Sequence, residues 1–400
     1  MTTSRRTFLA AGAVSAVAPF VRASDKSGTK NPTLGEGEYQ YECIHDWGEL
    51  PSNIKYGNTH SVCEDAQGHI YIHHTVHKDS QSPDSVVVFD EKGKFVRSWG
   101  AMFRGGAHGM FLRKEGHTEY LYFADEKHGI VTKRTLKGEE VWTMGYPQDS
   151  PIYEKGPGAK GPGGAAGLNY RPTNISMAPN GDFWVGDGYG SYYMFHYSVA
   201  SATSYPKLLN VFGGPAPITE RRPAGPGGPG GPGGPGAGGP GAGGPGGPRA
   251  AGGPPPQRPP APIDHMNNPH GNMIDLRDPA NPVHLIADRG NRRIVRYTLD
   301  DKPIDIIEGT RLPCYFHEHK QNVVVPDLSG PVFILDKDNK IAVSMGGDGK
   351  GNPPRTTQER SSFVPGQFVA PHGATYDHNG NIFIVEWVEI GRVTKLRKIA

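Results

Sequence analysis

Six returns of one short phrase, each followed by runs of β-branched and aromatic residues, predict an all-β fold. The expected form is a six-bladed β-propeller closed by an N-terminal strand that completes the last blade. Three observations carry this. The phrase keeps a nearly fixed internal spacing: Thr173 to Asp187, His60 to His74 and His372 to Glu386 are each 14 residues apart. Short runs broken by Asn-Gly, Lys-Gly and Asp-Lys turns follow it, with no long 3.6-residue period to compete. The last return lacks its fourth run, while a segment of matching pattern stands unused near the start of the chain.

Taken in order, residues 1–23 read as a targeting signal. Ser4-Arg5-Arg6-Thr7-Phe8-Leu9 precedes the apolar stretch Ala11–Val21 and a small-residue site at Val21-Arg22-Ala23. The apolar stretch is short for a membrane span, and the paired arginines resemble the bacterial twin-arginine export signal. A periplasmic or extracytoplasmic location follows as an expectation. Next comes Tyr41–Gly48, whose pattern matches Phe95–Gly100 and which is therefore assigned as the outer strand of the last blade. Pairing strands from both ends of the chain leaves no open sheet edge.

Residues 39–400 form the propeller. The second runs of the blades are Ile70–Ile72, Leu121–Phe123, Phe183–Val185, His284–Ile286, Val323–Val325 and Ile382–Ile384. Third runs follow, as at Val86–Phe89 and Arg293–Tyr297, and fourth runs end in Gly, as at Ile341–Gly346. Four strands per unit and six units match the propeller plan. An insertion at 214–262 separates blades three and four. From Pro223 to Pro260, 30 of 38 residues are Gly or Pro, with no strict triplet period, which predicts a solvated, unpacked segment.

Charge and cysteine bound the function classes. A net charge of +2 with mixed signs gives no nucleic-acid footprint. Nothing after the signal reads as a stable membrane span. Three cysteines make no disulfide framework, so buried free thiols are expected at Cys43 and Cys63. The partner class is a small molecule or peptide substrate.

The positions just before the innermost strands are His60, His108, Thr173, His270, Cys314 and His372 in blade order. These lie at the mouth of a propeller's central channel. His108, His270 and His372 come from alternate blades, so they are related by about 120° and converge on the axis. Three neutral imidazoles leave one tetrahedral position open, the arrangement of a catalytic zinc. Polar residues lining a wet channel are the alternative. His60 and Cys314 are further channel candidates, while His73, His74, His77, His317 and His319 are expected in loops or at the surface.

These residues carry a resemblance. The His-Gly repeats, the loop Asp187-Gly188-Tyr189 and the loop Ala287-Asp288-Arg289-Gly290-Asn291 resemble the peptidyl-α-hydroxyglycine α-amidating lyases. More broadly, the chain from about Tyr39 to Ala400 is similar to NHL-type six-bladed propellers. The resemblance implies zinc on His108, His270 and His372, a catalytic role for Tyr189 and a functional one for Arg289. It also implies C–N cleavage of a carbinolamide to an amide and glyoxylate.

Departures exist. Ala370-Pro371-His372-Gly373 lacks the aspartate for the family's structural calcium and a methionine near the site. Ile72-His73-His74-Thr75 lacks the expected first-blade arginine, and the family's disulfide cysteines are absent. Two other classes stand beside the lyase: a non-enzymatic ligand- or partner-binding propeller, and a calcium-dependent lactone or ester hydrolase.

Overall fold

The computed structural model describes residues 31–156, 169–201, 203–216, 260–347 and 352–399. The signal at 1–23 lies outside the described residues, as do 217–259 of the insertion. Six antiparallel sheets are present, five of four strands and one of five. Blades one to five each use four consecutive strands: Thr59–Glu64 through Phe95–Trp99, Ala107–Glu115 through Glu140–Met144, Asn174–Met177 through Lys207–Gly213, Pro269–Asp275 through Pro303–Ile307, and His317–His319 through Ile341–Met345. Blade six takes Pro371–Tyr376, Ile382–Glu386 and Arg392–Lys398 from the C-terminal part of the chain and Tyr41–His45 from the N-terminal part.

The closing strand runs antiparallel to Arg392–Lys398, with Cys43 opposite Leu396. It stops at His45 because Asp46 turns with φ 54°. A further short strand, Thr33–Leu34, pairs outside it and was not expected from the sequence. Fourth strands likewise end just before their glycines. Gly100, Gly309 and Gly346 have φ of 99°, 96° and 82°, a left-handed turn that ends the ladder.

Strands flanked by neighbouring blades are buried on both faces, which explains their continuous apolar runs. Each pair of adjacent blades encloses its own core cluster. Tyr71, Val86 and Val88 of blade one meet Met110, Leu121 and Phe123 of blade two. Trp184 and Met194 of blade three meet Ile286 and Val295 of blade four. Ile72, Val87 and Phe89 of blade one meet Phe383, Val385 and Val393 of blade six, closing the ring.

Cys43, Cys63 and Cys314 are free and buried, as expected for the first two. His73 and His74 differ from expectation: both lie in the strand Ile70–His74 and are fully buried. His73 packs edge-on against Phe103 and Phe123, with ring centroids 5.7 and 5.0 Å away. His317 and His319 also belong to a strand, at half-buried positions. Among the described residues, no helix is long and apolar enough to cross a membrane.

Candidate metal centre

The first strand of each histidine-bearing blade carries an irregularity at the histidine. Thr59 pairs with His74 and Ser61 with His73, so His60 is an extra residue with no partner. The same holds for His108, between the pairs Ala107–Asp125 and Gly109–Ala124, and for His372, between Pro371–Glu386 and Gly373–Val385. In blade four, His270 and Gly271 together face Ala287. A bulge redirects a side chain out of the pleat. Here it turns four imidazoles into the channel.

The glycine after each histidine has a second cause. A Cβ built on Gly109 would lie 2.6 Å from the Thr173 carbonyl oxygen, one on Gly271 2.2 Å from that of Cys314, and one on Gly373 2.5 Å from that of His60. These same oxygens accept a hydrogen bond from the preceding histidine. His108 Nδ1 donates to Thr173 O, His270 Nδ1 to Cys314 O at 2.8 Å, and His372 Nδ1 to His60 O at 2.9 Å. The pattern repeats three times: an even blade's histidine is held by the odd blade that follows it.

A carbonyl can only accept, so each Nδ1 carries the proton and each Nε2 a lone pair. Burial pushes the pKa of His60, His108 and His270 well below the usual histidine range and that of His372 down to about 3, aided in all four by neighbouring charge. The imidazoles are therefore neutral, the form that ligates a metal.

The three rings form a near-equilateral triangle, with centroids 4.7 Å apart for His108–His270, 4.9 Å for His108–His372 and 4.7 Å for His270–His372. Two sets of donor atoms lie within 4.8 Å of one another: His60, His108 and His372, and His270, Cys314 and His372. His372 belongs to both. The rings of His108, His270 and His372 lie close together, but neither donor set is that triad: His108 falls in the set with His60 and His270 in the set with Cys314. His60 differs from the other three in that its buried Nδ1 has no partner.

Tyr189 and Arg289 lie in loops after the second strands of blades three and four. The Tyr189 hydroxyl stands 3.2 Å from His108 Nε2 and 3.1 Å from His270 Nε2, and Arg289 Nη2 donates to it at 3.1 Å. One hydroxyl proton cannot satisfy two acceptors, and the buried His372 Nε2 has no partner at all. Lone pairs left facing each other in a buried site are a donor set that could hold a metal cation.

Arg289 is buried, and among the described residues its side chain donates to Asn268 Oδ1 at 2.8 Å, Cys314 Sγ at 3.7 Å and the Tyr189 hydroxyl. None is a carboxylate. Its neighbour Asp288 is taken by Arg293 at 2.8 Å. A buried cation without a counterion is costly, and it calls for an anionic ligand or a phenolate. Burial pushes the Tyr189 phenol up, and Arg289 opposes that shift.

The recurrent acid that ends each second strand serves the loops. Asp187 accepts from the backbone of Arg171 and Ser191, Asp327 from Arg311 and Leu312, and Glu386 from Val369 while pairing with Arg392. In blade one His74 Nδ1 does the same, accepting from Val76 at 3.1 Å. Those carboxylates are engaged away from the axis, whereas calcium requires oxygen ligands.

Two contributors escaped the sequence. Asn268, at φ 62°, orients Arg289 and donates to the Gly188 carbonyl, joining the two loops. Arg171 stacks over Tyr189 with its guanidinium 5.3 Å from the ring centre, held there by Glu126 at 2.8 Å. An asparagine two residues before His270 is a weak signal for a left-handed turn; Arg171 has none.

No protein-family model matches the chain, and no curated protein does. Solved structures do. A gluconolactonase from Xanthomonas campestris shares 10% identity with a TM-score of 0.50, covering 92% of this chain and 96% of that one. A streptogramin B lyase shares 10% identity at a TM-score of 0.49, covering 91% and 99%. At such identity the gluconolactonase likeness is one of fold alone.

Proposed function

We propose that the chain is an exported, zinc-dependent carbon–nitrogen lyase that splits an α-hydroxyglycine carbinolamide into an amide and glyoxylate. The observation that carries this reading is the threefold anchoring of His108, His270 and His372, which presents three neutral Nε2 atoms beside a tyrosine and an unpaired arginine. A bound divalent metal acidifies a coordinated hydroxyl.

The chain's own residues do the rest. Arg289 supplies the charge for the substrate carboxylate, and the carboxylate gives that guanidinium the counterion it lacks. Tyr189 takes the proton of the carbinol hydroxyl at its Oη. As the C–O bond becomes the aldehyde carbonyl, the C–N bond breaks, and the departing amide nitrogen takes that same proton back from Tyr189. Arg289 Nη2 favours the phenolate form that this step requires. Arg171, whose guanidinium also stands over Tyr189, lines a cleft of about 610 Å³ with Glu126, Tyr146 and Asn169, which offers room for the acyl portion. The twin-arginine pattern in residues 1–23 adds export of the folded, metal-loaded protein to the proposal.

The test is glyoxylate release from a small acyl-α-hydroxyglycine without any redox cofactor. Zinc-loaded protein should release it, and metal-stripped protein should not. Tyr189→Phe should keep its metal and lose about 10²–10⁴-fold in rate, the usual contribution of a proton-transfer residue. Release that survives metal removal, or no release from zinc-loaded protein, would overturn the reading.

A further inference from the structure

Cys314 occupies the blade-five position equivalent to the histidines, yet neither the triad nor the proposed proton transfer uses its sulfur. Its carbonyl accepts the His270 Nδ1 bond, while its Sγ lies in a set with donor nitrogens of His270 and His372, all within 4.8 Å of one another and all buried. Two independent features aim at that point. His372 Nε2 is buried without a partner. Arg289 Nη1 donates towards Sγ at 3.7 Å, placing a positive charge beside the sulfur.

In the structure the thiol proton goes to the Leu312 carbonyl at 3.4 Å, a weak bond that is cheaply given up. The alternative set, His60 with His108 and His372, is all nitrogen, and His60 Nδ1 has no carbonyl to fix its ring. Each set holds two anchored histidines, but only on the cysteine side does a buried cation, Arg289, stand beside the third donor.

We propose that Cys314 Sγ is itself a metal ligand, forming with His270 and His372 a three-donor nitrogen–sulfur set in which it takes the place of His108 and the fourth position stays open. This rests on the reading of the channel as a metal centre. Ligation replaces the S–H proton, which leaves to solvent, by the metal, and Arg289 then balances the thiolate charge. A thiolate in the set biases the site towards zinc, cobalt and cadmium and against magnesium and calcium, whose ligands are oxygens. It also gives the sulfur a chemical role that a buried, inert thiol would lack.

The test is cobalt(II) substitution of the full-length protein, read by absorption rather than activity. Wild type should show a near-ultraviolet thiolate-to-cobalt charge-transfer band. The chain has three cysteines, so a Cys43→Ser/Cys63→Ser variant should keep the band, and Cys314→Ser should lose it. The double variant assigns the sulfur even if Cys314→Ser fails to fold. Cobalt bound without the band, or a band that persists in Cys314→Ser, overturns the ligand assignment and leaves the metal centre standing. Wild-type protein that binds no cobalt or zinc overturns both.

Discussion

At the scale of single residues, the channel is organised by which ring nitrogen is spent. His108, His270 and His372 each commit Nδ1 to a carbonyl of the next blade, which fixes tautomer and ring orientation together. His60 has no such anchor, although its ring lies 4.6 Å from His372 and 5.1 Å from His108. His372 sits in both donor sets and is the residue whose Nε2 has no other use. Replacing it by alanine should therefore abolish metal binding outright, since neither set retains three protein donors. His60→Ala should keep most of the metal. Metal content of the purified variants, measured against protein concentration, checks the pair; a His60→Ala protein stripped as fully as His372→Ala would refute the distinction. The rings themselves were legible in the sequence, because a histidine at one position of a repeat maps directly onto a ring of ligands. Cys314 and His60 could be named there but not ranked, since ranking needs the carbonyls, and those belong to other blades.

At the scale of the strand, bulge and glycine act as one device. The bulge turns the histidine inward, and the absent Cβ lets the neighbouring blade's carbonyl come close enough to hold it. The His-Gly pairing was readable as a repeat, but its reason was not. It depends on the approach of a distant chain segment, as where Cys314, 44 residues beyond His270, closes on Gly271. The burial of His73 and His74 was missed for a related reason. A polar residue in a strand looks like a solvated one unless what packs on it is known, and here Phe103 and Phe123 cover His73 and Tyr56 covers His74. Gly271→Ala should therefore damage the centre although alanine carries no chemistry. Its methyl would meet the Cys314 carbonyl oxygen at 2.2 Å and the Tyr315 Cα at 2.8 Å, both backbone, so blades four and five must separate. Overpacking of this kind costs about 1–3 kcal/mol. The expected result is a lower denaturation midpoint together with weaker metal binding. Gly145→Ala, where a Cβ meets nothing within 4 Å, is the matched control. Equal behaviour of the two variants would show that the close approach is unimportant.

At the scale of the whole molecule, a ring must be closed, and the strand count decided how. The leftover strand at Tyr41 was predictable because a six-fold repeat with five fourth strands leaves one place to fill; the outer pair Thr33–Leu34 was not, because two residues carry no periodicity. Closure also involves side chains just past the strand. Trp47 packs on Phe383 of blade six and Phe89 of blade one, with centroids 4.7 and 5.6 Å away, so one indole spans the seam. Its backbone N–H bonds to Val393 O at 2.9 Å, and Glu49 N–H to Gly93 O at 2.7 Å, stitching the segment to both blades. His372 of blade six is held by the His60 carbonyl of blade one, so the metal centre lies across the same seam. Opening it should then be felt at the site. Removing residues 24–50 should expose the edge of Arg392–Lys398 and yield poorly soluble protein. Trp47→Ala is the milder test: Trp47 is partly buried, so truncating it costs less than the about 3–5 kcal/mol of a fully buried aromatic. It should lower the denaturation midpoint and, by loosening blade one against blade six, weaken metal binding more than an equally destabilising change at the interface of blades three and four, such as Met194→Ala. If both variants lose metal in proportion to stability alone, the seam has no special claim on the centre; if Trp47→Ala loses more, ring closure and metal binding share one set of contacts.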